Sequence, residues 1–317
     1  MFVVIGFVTP EQTLEACKHV MLIQRDTGNR ANRKQARLKY TIDNYWHGPE
    51  NFRAELERRL GYKLEEPRAY KFKQNTDQYG WIQDHKGMWH CGLWLENGRV
   101  KDTPESPFRT GLRELCKIHK GHFRMTPNQH VIVSDVAPED KAAIEAHLKK
   151  YKMDNWNHSG LQLSASACVS FPTCGLAMAE SERYLPILVE KVEKMFLKNG
   201  LREDEVVMRM SGCANGCSRP WLGEIGFVGK APGSYLMLLG GGHAGQRLSK
   251  IFRDGIGEKE ILEILDPLIV RYAKERVTGE PFGDWVIRAG VIAPTLTGAS
   301  FCEYHFPLFA RRIAADD

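Results

Sequence analysis

The residues of this chain with the most chemistry in them are four cysteines in two tight pairs, Cys168-x5-Cys174 and Cys213-x3-Cys217, with 38 residues between the pairs. Thiolates are soft ligands that suit polynuclear iron. Four of them match a cubane iron–sulfur cluster, whose metal corners point outward in four directions. The intervening residues favour loops over helices. Pro172 breaks any regular helix between Cys168 and Cys174, while Gly212 and Gly216 let the backbone of Gly212-Cys-Ala-Asn-Gly-Cys217 approach a bulky group closely. Two other readings stand beside this one. A structural zinc site usually spaces paired ligands by roughly two to four residues, which the second pair satisfies and the first does not. Inert buried thiols are the other, whereas disulfides need an oxidising compartment that nothing in the chain suggests. Cys17, Cys91, Cys116 and Cys302 show no such pairing and read as small apolar residues or incidental thiols.

The text around the pairs is more specific than their spacing. Ala167-Cys-Val-Ser-Phe-Pro-Thr-Cys-Gly-Leu-Ala-Met-Ala-Glu-Ser-Glu-Arg183, followed by Arg209-Met-Ser-Gly-Cys-Ala-Asn-Gly-Cys-Ser-Arg219, resembles the signature of siroheme-containing sulfite and nitrite reductases. Gly226–Gly233 and Phe282–Arg288 also resemble the haemoprotein (beta) subunits of the assimilatory NADPH-dependent sulfite enzymes, and the likeness fades only after about Pro294. The resemblance implies a [4Fe–4S] cluster on Cys168, Cys174, Cys213 and Cys217, with Cys217 also the axial thiolate of a siroheme. It implies six-electron reduction of sulfite to sulfide, with a flavoprotein reductase carrying FAD and FMN as the NADPH-fed electron donor.

A second segment supplies cations. Residues 25–39 carry six basic side chains: Arg25, Arg30, Arg33, Lys34, Arg37 and Lys39. Taken alone, such a run is a solvated face or a nucleic-acid patch. The resemblance gives it another meaning, because the family lines its anion pocket with a Lys-x-Lys pair that falls here on Arg37 and Lys39. Arginine at the first position is a departure. It keeps the charge and offers a planar fork to an oxyanion, but is a poorer proton donor than lysine. The same resemblance sets Arg124, Asn128 and Gln129 on a loop facing the cofactor cavity.

Composition bounds the remainder. The chain has 317 residues, is 43% hydrophobic, and carries 44 Lys and Arg against 39 Asp and Glu for a formal net charge of +5. That excess suits a polycarboxylate cofactor and is too modest to argue for nucleic acid, and no zinc-finger or helix-turn-helix text adds to it. No apolar run reaches the length of a membrane span. The apolar opening Met1–Val8 lacks a basic leader, so a cytoplasmic protein is expected, in a reducing compartment where thiols stay free.

Periodicity places the motifs on elements. Residues 11–24 and 49–60 read as amphipathic helices, the second stopped by Gly61. Trp89–Leu95 alternates like a strand, Glu96–Arg99 reads as a hairpin turn, 111–119 as a helix, Phe123–Val136 as a turn and strand, and Pro138–Lys150 as a helix. The expected class is α+β. By the family map, 1–80 is the C-terminal part of a first siroheme-type domain, 81–150 a second ferredoxin-like small domain, and 151–317 the cluster- and siroheme-binding domain. The first small domain, with two further arginines of the anion pocket, lies outside this chain on that map.

Two sets of residues read as decoys. Gly240-Gly-Gly-His-Ala-Gly245 satisfies G-x-G-x-x-G after a strand at Tyr235–Leu239 and before a helical-looking Gln246–Phe252. No second strand ending in an acid follows, so a tight turn is preferred to a dinucleotide site. His85, His90 and Cys91, or His119 and His122, lack the fourth ligand of a metal pattern. The resulting expectation is a sulfite reductase haemoprotein fragment. Siroheme nitrite reductase, a non-catalytic cluster-binding module, and nucleic-acid binding through residues 25–39 are the alternatives.

Overall fold

The computed structural model describes residues 4–70 and 75–296. They fall into two compact units, Met1–Phe72 and Lys73–Asp317.

The first unit is helical. Helix α1 (Pro10–Thr27) opens with proline at its first position, and the Thr9 N–H donates to Gln12 Oε1 at 3.0 Å, so an otherwise orphaned donor is satisfied. After a short turn of helix, α2 (Leu38–Tyr40), helix α3 (Pro49–Leu60) ends at Gly61, whose φ of 79° is the left-handed conformation that glycine adopts at least cost. Ile23 of α1 packs with Phe52 and Leu56 of α3 and with Leu64 to form the core of this unit. The helices expected over 11–24 and 49–60 are these two.

The second unit contains two sheets. The first is antiparallel, with strand order β1-β2-β4-β3 from β1 (Gly80–Gln83), β2 (Trp89–Leu93), β3 (His122–Met125) and β4 (Val131–Val136). Helices α4 (Phe108–Ile118) and α5 (Lys141–Lys150) cover it: Phe108 and Leu115 from one and Ile144 and Leu148 from the other pack on Cys91, Leu93, Val133 and Val136. Two expectations need correction. Glu96–Arg99 is not a hairpin turn, because β2 pairs with β1 and β4; the residues 96–98 form a single 3-10 turn with Asn97 at φ 49°. Residues 138–140 precede α5 and are not part of it, Asp140 being its N-cap.

The second sheet runs β5-β6-β7-β8-β9, built from β5 (Ser166–Ala167), β6 (Met208–Ser211), β7 (Ile225–Ala231), β8 (Ser234–Leu239) and β9 (Lys250–Ile256). The pairs β5·β6 and β6·β7 are parallel and the others antiparallel, which makes the sheet mixed. A short helix α6 (Gly160–Ser164) leads into β5. Helices α7 (Leu185–Lys198), α8 (Glu258–Glu275) and α9 (Phe282–Arg288) close over one face, where Met208, Met210, Phe227 and Met237 meet Val192, Phe196, Ile261, Leu265 and the buried Trp285. The expected helix over Gln246–Phe252 is absent. Residues 250–256 form β9, which pairs antiparallel with β8, so the glycine run joins two neighbouring strands of a hairpin and opens no helix on which a dinucleotide phosphate would sit. Among the described residues, no helix is long and apolar enough to cross a membrane.

Candidate functional site

Both cysteine pairs begin where parallel strands end. Ala167 is the last residue of β5 and Ser211 the last of β6, and the two strands pair in register Ser166↔Arg209 and Ala167↔Met210. The chain leaves them at the same edge of the sheet as Cys168 and as Gly212-Cys213. The carboxyl ends of parallel strands are where open α/β sheets collect their functional loops. The Cys168 N–H extends the ladder one step by donating to Met210 O at 3.1 Å. A direct link between the loops follows: the Gly212 N–H donates to Cys168 Sγ at 3.2 Å.

Gly212 has no room for a side chain. A Cβ there would stand 2.1 Å from Ser170 Oγ and 2.8 Å from Ala179 O. Its carbonyl accepts from Met178 N at 2.9 Å and Ala179 N at 3.1 Å, which ties the segment after Cys174 to the segment before Cys213. Within the first loop, the Cys174 N–H donates to Ser170 O at 2.8 Å. In the second, the Gly216 N–H donates to Cys213 O at 3.3 Å, and Gly216 sits at φ 64°. Ser218 then pins the loop to β6: its hydroxyl donates to Met210 O at 2.6 Å and its N–H to Ser211 Oγ at 3.2 Å.

All four thiols are free; Cys168, Cys174 and Cys213 are half-buried and Cys217 is exposed. No group of three or more His, Cys, Asp or Glu side chains among the described residues is placed to hold a single metal ion. A cubane makes a different demand, one thiolate for each iron, and two thiol-bearing loops tied by an N–H to sulfur bond have the donor chemistry for it. Cys91 is different in kind. It is fully buried in the small sheet's core, and desolvation pushes its thiol up to about 12, leaving it protonated and inert. Cys17 and Cys116 are exposed and outside both loops, and Cys302 lies outside the described residues.

The outer edge of β5 is held by side chains in place of another strand. Asn97 Oδ1 accepts the Ala167 N–H at 3.0 Å, while Asn97 Nδ2 donates to Glu182 O at 3.1 Å. Gln129 Nε2 donates to Ala167 O at 3.3 Å, and Gln129 Oε1 accepts from Ser166 Oγ at 2.7 Å. Arg99 adds a two-pronged ion pair to Glu182, with both N–O distances 2.7 Å. Asn97 and Gln129 both have positive φ, 49° and 73°, which fits the bent backbone that aims them at the strand. Gly98 between them admits Gln129, whose Cβ would be 2.9 Å from a Cβ at that position.

The other expected residues are placed as follows. Asn128 donates to Asn75 O at 3.2 Å and to Asp77 Oδ1 at 3.0 Å. Arg124 is exposed on β3 and pairs with Asp135 at 3.0 Å, beside His122 at 3.1 Å from the same carboxylate. Arg37 and Lys39 belong to the helical unit, where both are exposed and each lies over the Tyr40 ring, at 5.6 and 4.8 Å. His90 bonds Asp84 at 3.2 Å. Asn97 was missed by sequence reasoning. Its one signal, the Asn-Gly pair, reads as a turn and says nothing of the strand it braces.

A mixed sheet bearing free thiols on loops from adjacent parallel strands, with a four-stranded sheet and two helices in the same unit, is a scaffold of the α+β class. Comparison with known proteins sharpens this. The family model described as nitrite and sulphite reductase 4Fe-4S domain matches residues 1–64, and that of the nitrite/sulfite reductase ferredoxin-like half domain matches 82–151. The sulfite reductase [NADPH] hemoprotein beta-component of Anoxybacillus flavithermus is 52% identical over 299 residues, 94% of this chain and 52% of that protein. Its counterpart in Staphylococcus haemolyticus is 50% identical over 297 residues, covering 93% and 52%. Among solved structures, Mycobacterium tuberculosis NirA superposes with a TM-score of 0.73 at 25% identity, over 89% of this chain and 53% of that one. The chain is similar to nitrite and sulfite reductases along most of its own length. It spans about half the length of the curated relatives it matches. The stretch matched by the 4Fe-4S domain model contains a single cysteine, Cys17.

Proposed function

We propose that this chain is the cluster-bearing part of a sulfite reductase haemoprotein, in which Cys168, Cys174, Cys213 and Cys217 hold a [4Fe–4S] cluster and Cys217 also ligates a siroheme. The observation that carries the reading is the bond from Gly212 N–H to Cys168 Sγ, which ties the two thiol loops to one edge of the sheet. When bound, the coupled pair supplies electron storage and a site where sulfite is reduced by six electrons to sulfide. The chain's own residues bind and orient. The exposed Cys217 is free to face a second group, while the half-buried Cys168, Cys174 and Cys213 are shielded as cluster ligands tend to be. Asn97 and Gln129 fix the strand from which Cys168 projects. Arg37 and Lys39 supply positive charge for an oxyanion, with Lys39 the better proton donor of the two. Asn128 and Arg124 act further out, through Asp77 and Asp135. A flavoprotein carrying FAD and FMN and drawing on NADPH is the electron donor in this reading, and the cytoplasm the compartment.

The test is anaerobic purification of the chain after co-expression with siroheme synthesis, with its visible spectrum and its iron, sulfide and siroheme content. Coupled cluster and siroheme bands that are lost together in Cys217→Ser support the shared-thiolate assignment. Arg37→Ala and Lys39→Ala should then raise the KM for sulfite in enzyme completed with the remainder of the haemoprotein. Protein without iron after this preparation refutes the reading, and turnover of nitrite in preference to sulfite moves it to the other branch of the family.

A further inference from the structure

On the face of the second sheet away from its main core lies a small cavity lined by Asn75, Thr76, Asn128, His130, Ser166 and Arg209, among others, with room for about one water-sized group. Arg209 is the residue of interest. It sits in the middle of β6 with only 9% of its surface exposed, and its guanidinium has no hydrogen-bond or ion-pair partner among the described residues. Leaving such a group buried and unpaired is costly, because an arginine cannot shed its charge at ordinary pH. Burial first, and the nearby Arg219 second, push its pKa down to about 10, so it remains charged near neutrality.

A second donor lines the same cavity. His130 Nδ1 accepts the Leu95 N–H at 3.0 Å, which assigns the proton of the neutral ring to Nε2. His130 is 5% exposed, burial lowers its pKa, and Nε2 has no partner among the described residues. Tyr79, whose ring meets His130 edge-on at 5.3 Å, has a buried hydroxyl that is also without a partner. The polar neighbours send their own protons elsewhere. Ser166 Oγ donates to Gln129, Thr76 Oγ1 to Glu205, and Asn128 to Asn75 and Asp77. The carboxylate of Asp77 is within electrostatic range of Arg209 but takes its hydrogen bonds from Thr126 and Asn128.

We propose that this cavity is a binding site for one small anionic acceptor, a halide or a single carboxylate group, held between the Arg209 guanidinium and His130 Nε2. Two N–H donor groups, the Arg209 guanidinium and His130 Nε2, line the cavity, and the nearby Asp77 carboxylate takes its hydrogen bonds from other residues. A water in the same place would bond to both donors but leave the arginine's charge unmet.

The experiment is diffraction at the bromide absorption edge from crystals of the full chain soaked in sodium bromide, with bromide line broadening by NMR as the solution measurement. The proposal expects an anomalous peak within hydrogen-bonding distance of Arg209 and His130, and bromide binding weakened about tenfold or more in Arg209→Met, where a charged hydrogen bond is lost. Crystals of the cofactor-loaded chain separate the sources. A carboxylate from the bound cofactor in this position, excluding bromide, identifies the cofactor as donor of the anion, whereas bromide in both forms identifies a free ion. An ordered water with no bromide, or a protein acceptor paired with Arg209, overturns the proposal without reference to enzyme activity.

Discussion

Asn97 and Ala167 are 70 residues apart in sequence, yet the Asn97 carboxamide oxygen accepts the Ala167 N–H at 3.0 Å. Ala167 is the last strand residue before Cys168, and β5 has only two residues with which to hold its place in the sheet. Its inner edge pairs with β6. On its outer edge Asn97 takes the N–H and Gln129 donates to the carbonyl, so two side chains do what a sixth strand would. The same asparagine reaches on to Glu182 O, beyond the first cysteine pair. One side chain of the small sheet's domain therefore fixes the chain on both sides of the Cys168–Cys174 loop.

Replacing Asn97 by alanine strands the Ala167 N–H in a buried position. The expected cost is about 1–3 kcal/mol, the usual penalty for an unsatisfied buried donor. The loss should be local as well as global. Cys168 and Cys174 of Asn97→Ala should react faster with a thiol reagent than those of the parent, while Cys91 stays unreactive, and Asn97→Asp, which keeps the acceptor, should retain most of the protection. Equal labelling rates in all three proteins would show that the bracket does not govern the loop.

The thiol pairs and their loops were legible because the signal is local: residue types, short spacing, proline and glycine within a few positions. What brings the loops together was not, since it depends on parallel pairing between β5 and a strand some 40 residues further on. Gln246–Phe252 failed for a related reason. Its helical look is outweighed by the open edge of β8, which needs a partner and takes Lys250–Ile256. Asn97 and Arg209 were invisible as functional candidates because their meaning lies in what they touch, or fail to touch, at long range.

Gly212 carries the most severe steric constraint in the site. An added methyl group would fall 2.1 Å from Ser170 Oγ, 2.8 Å from Ser170 Cβ and 2.8 Å from Ala179 O, so trimming Ser170 alone does not clear the space. Gly212→Ala is expected to destabilise the second unit by about 1–3 kcal/mol through overpacking and to pull the Gly212 N–H away from Cys168 Sγ. Urea unfolding gives the first quantity. Amide hydrogen exchange at Gly212 gives the second, and an unchanged exchange rate would show that the loop absorbs the methyl elsewhere.

His243, in the glycine run between β8 and β9, should make stability depend on pH. Its Nδ1 lies 3.0 Å from Oε2 of the fully buried Glu224, whose oxygens also accept from Val207 N at 2.9 Å and Gly283 N at 2.8 Å. The Glu224 hydrogen bond is the main cause of a raised histidine pKa, with Glu205 and Asp284 adding attraction and burial opposing it. A raised folded value means that the contribution is complete below the ordinary value near 6.5 and is lost as pH climbs through the folded value above it. Thermal midpoints measured from pH 6 to pH 9 should therefore fall more steeply in the parent than in His243→Gln. Parallel curves would rule out the coupling.

In the helical unit the corresponding device is acidic and has the opposite sign. Glu57 of α3 accepts from Lys63 Nζ at 2.7 Å, Arg53 Nε at 2.9 Å and the buried Leu64 N–H at 3.1 Å, so the chain leaving the helix is folded back onto its own last turns. Lys63 foremost, then Arg53, lower its pKa from near 4.5 to about 2. A depressed folded value gives a contribution that is present above the ordinary value and disappears as pH falls through the folded one. Unfolding of this unit, followed by the fluorescence of its single tryptophan, Trp46, in protein whose other tryptophans are replaced by phenylalanine, should lose stability between about pH 4.5 and pH 2. Glu57→Gln keeps an acceptor for Leu64 but removes the charge, so it should start less stable at pH 7 and show a shallower acid slope; an unchanged slope would place the acid sensitivity on Glu55, which Arg58 and Arg59 hold at about 2.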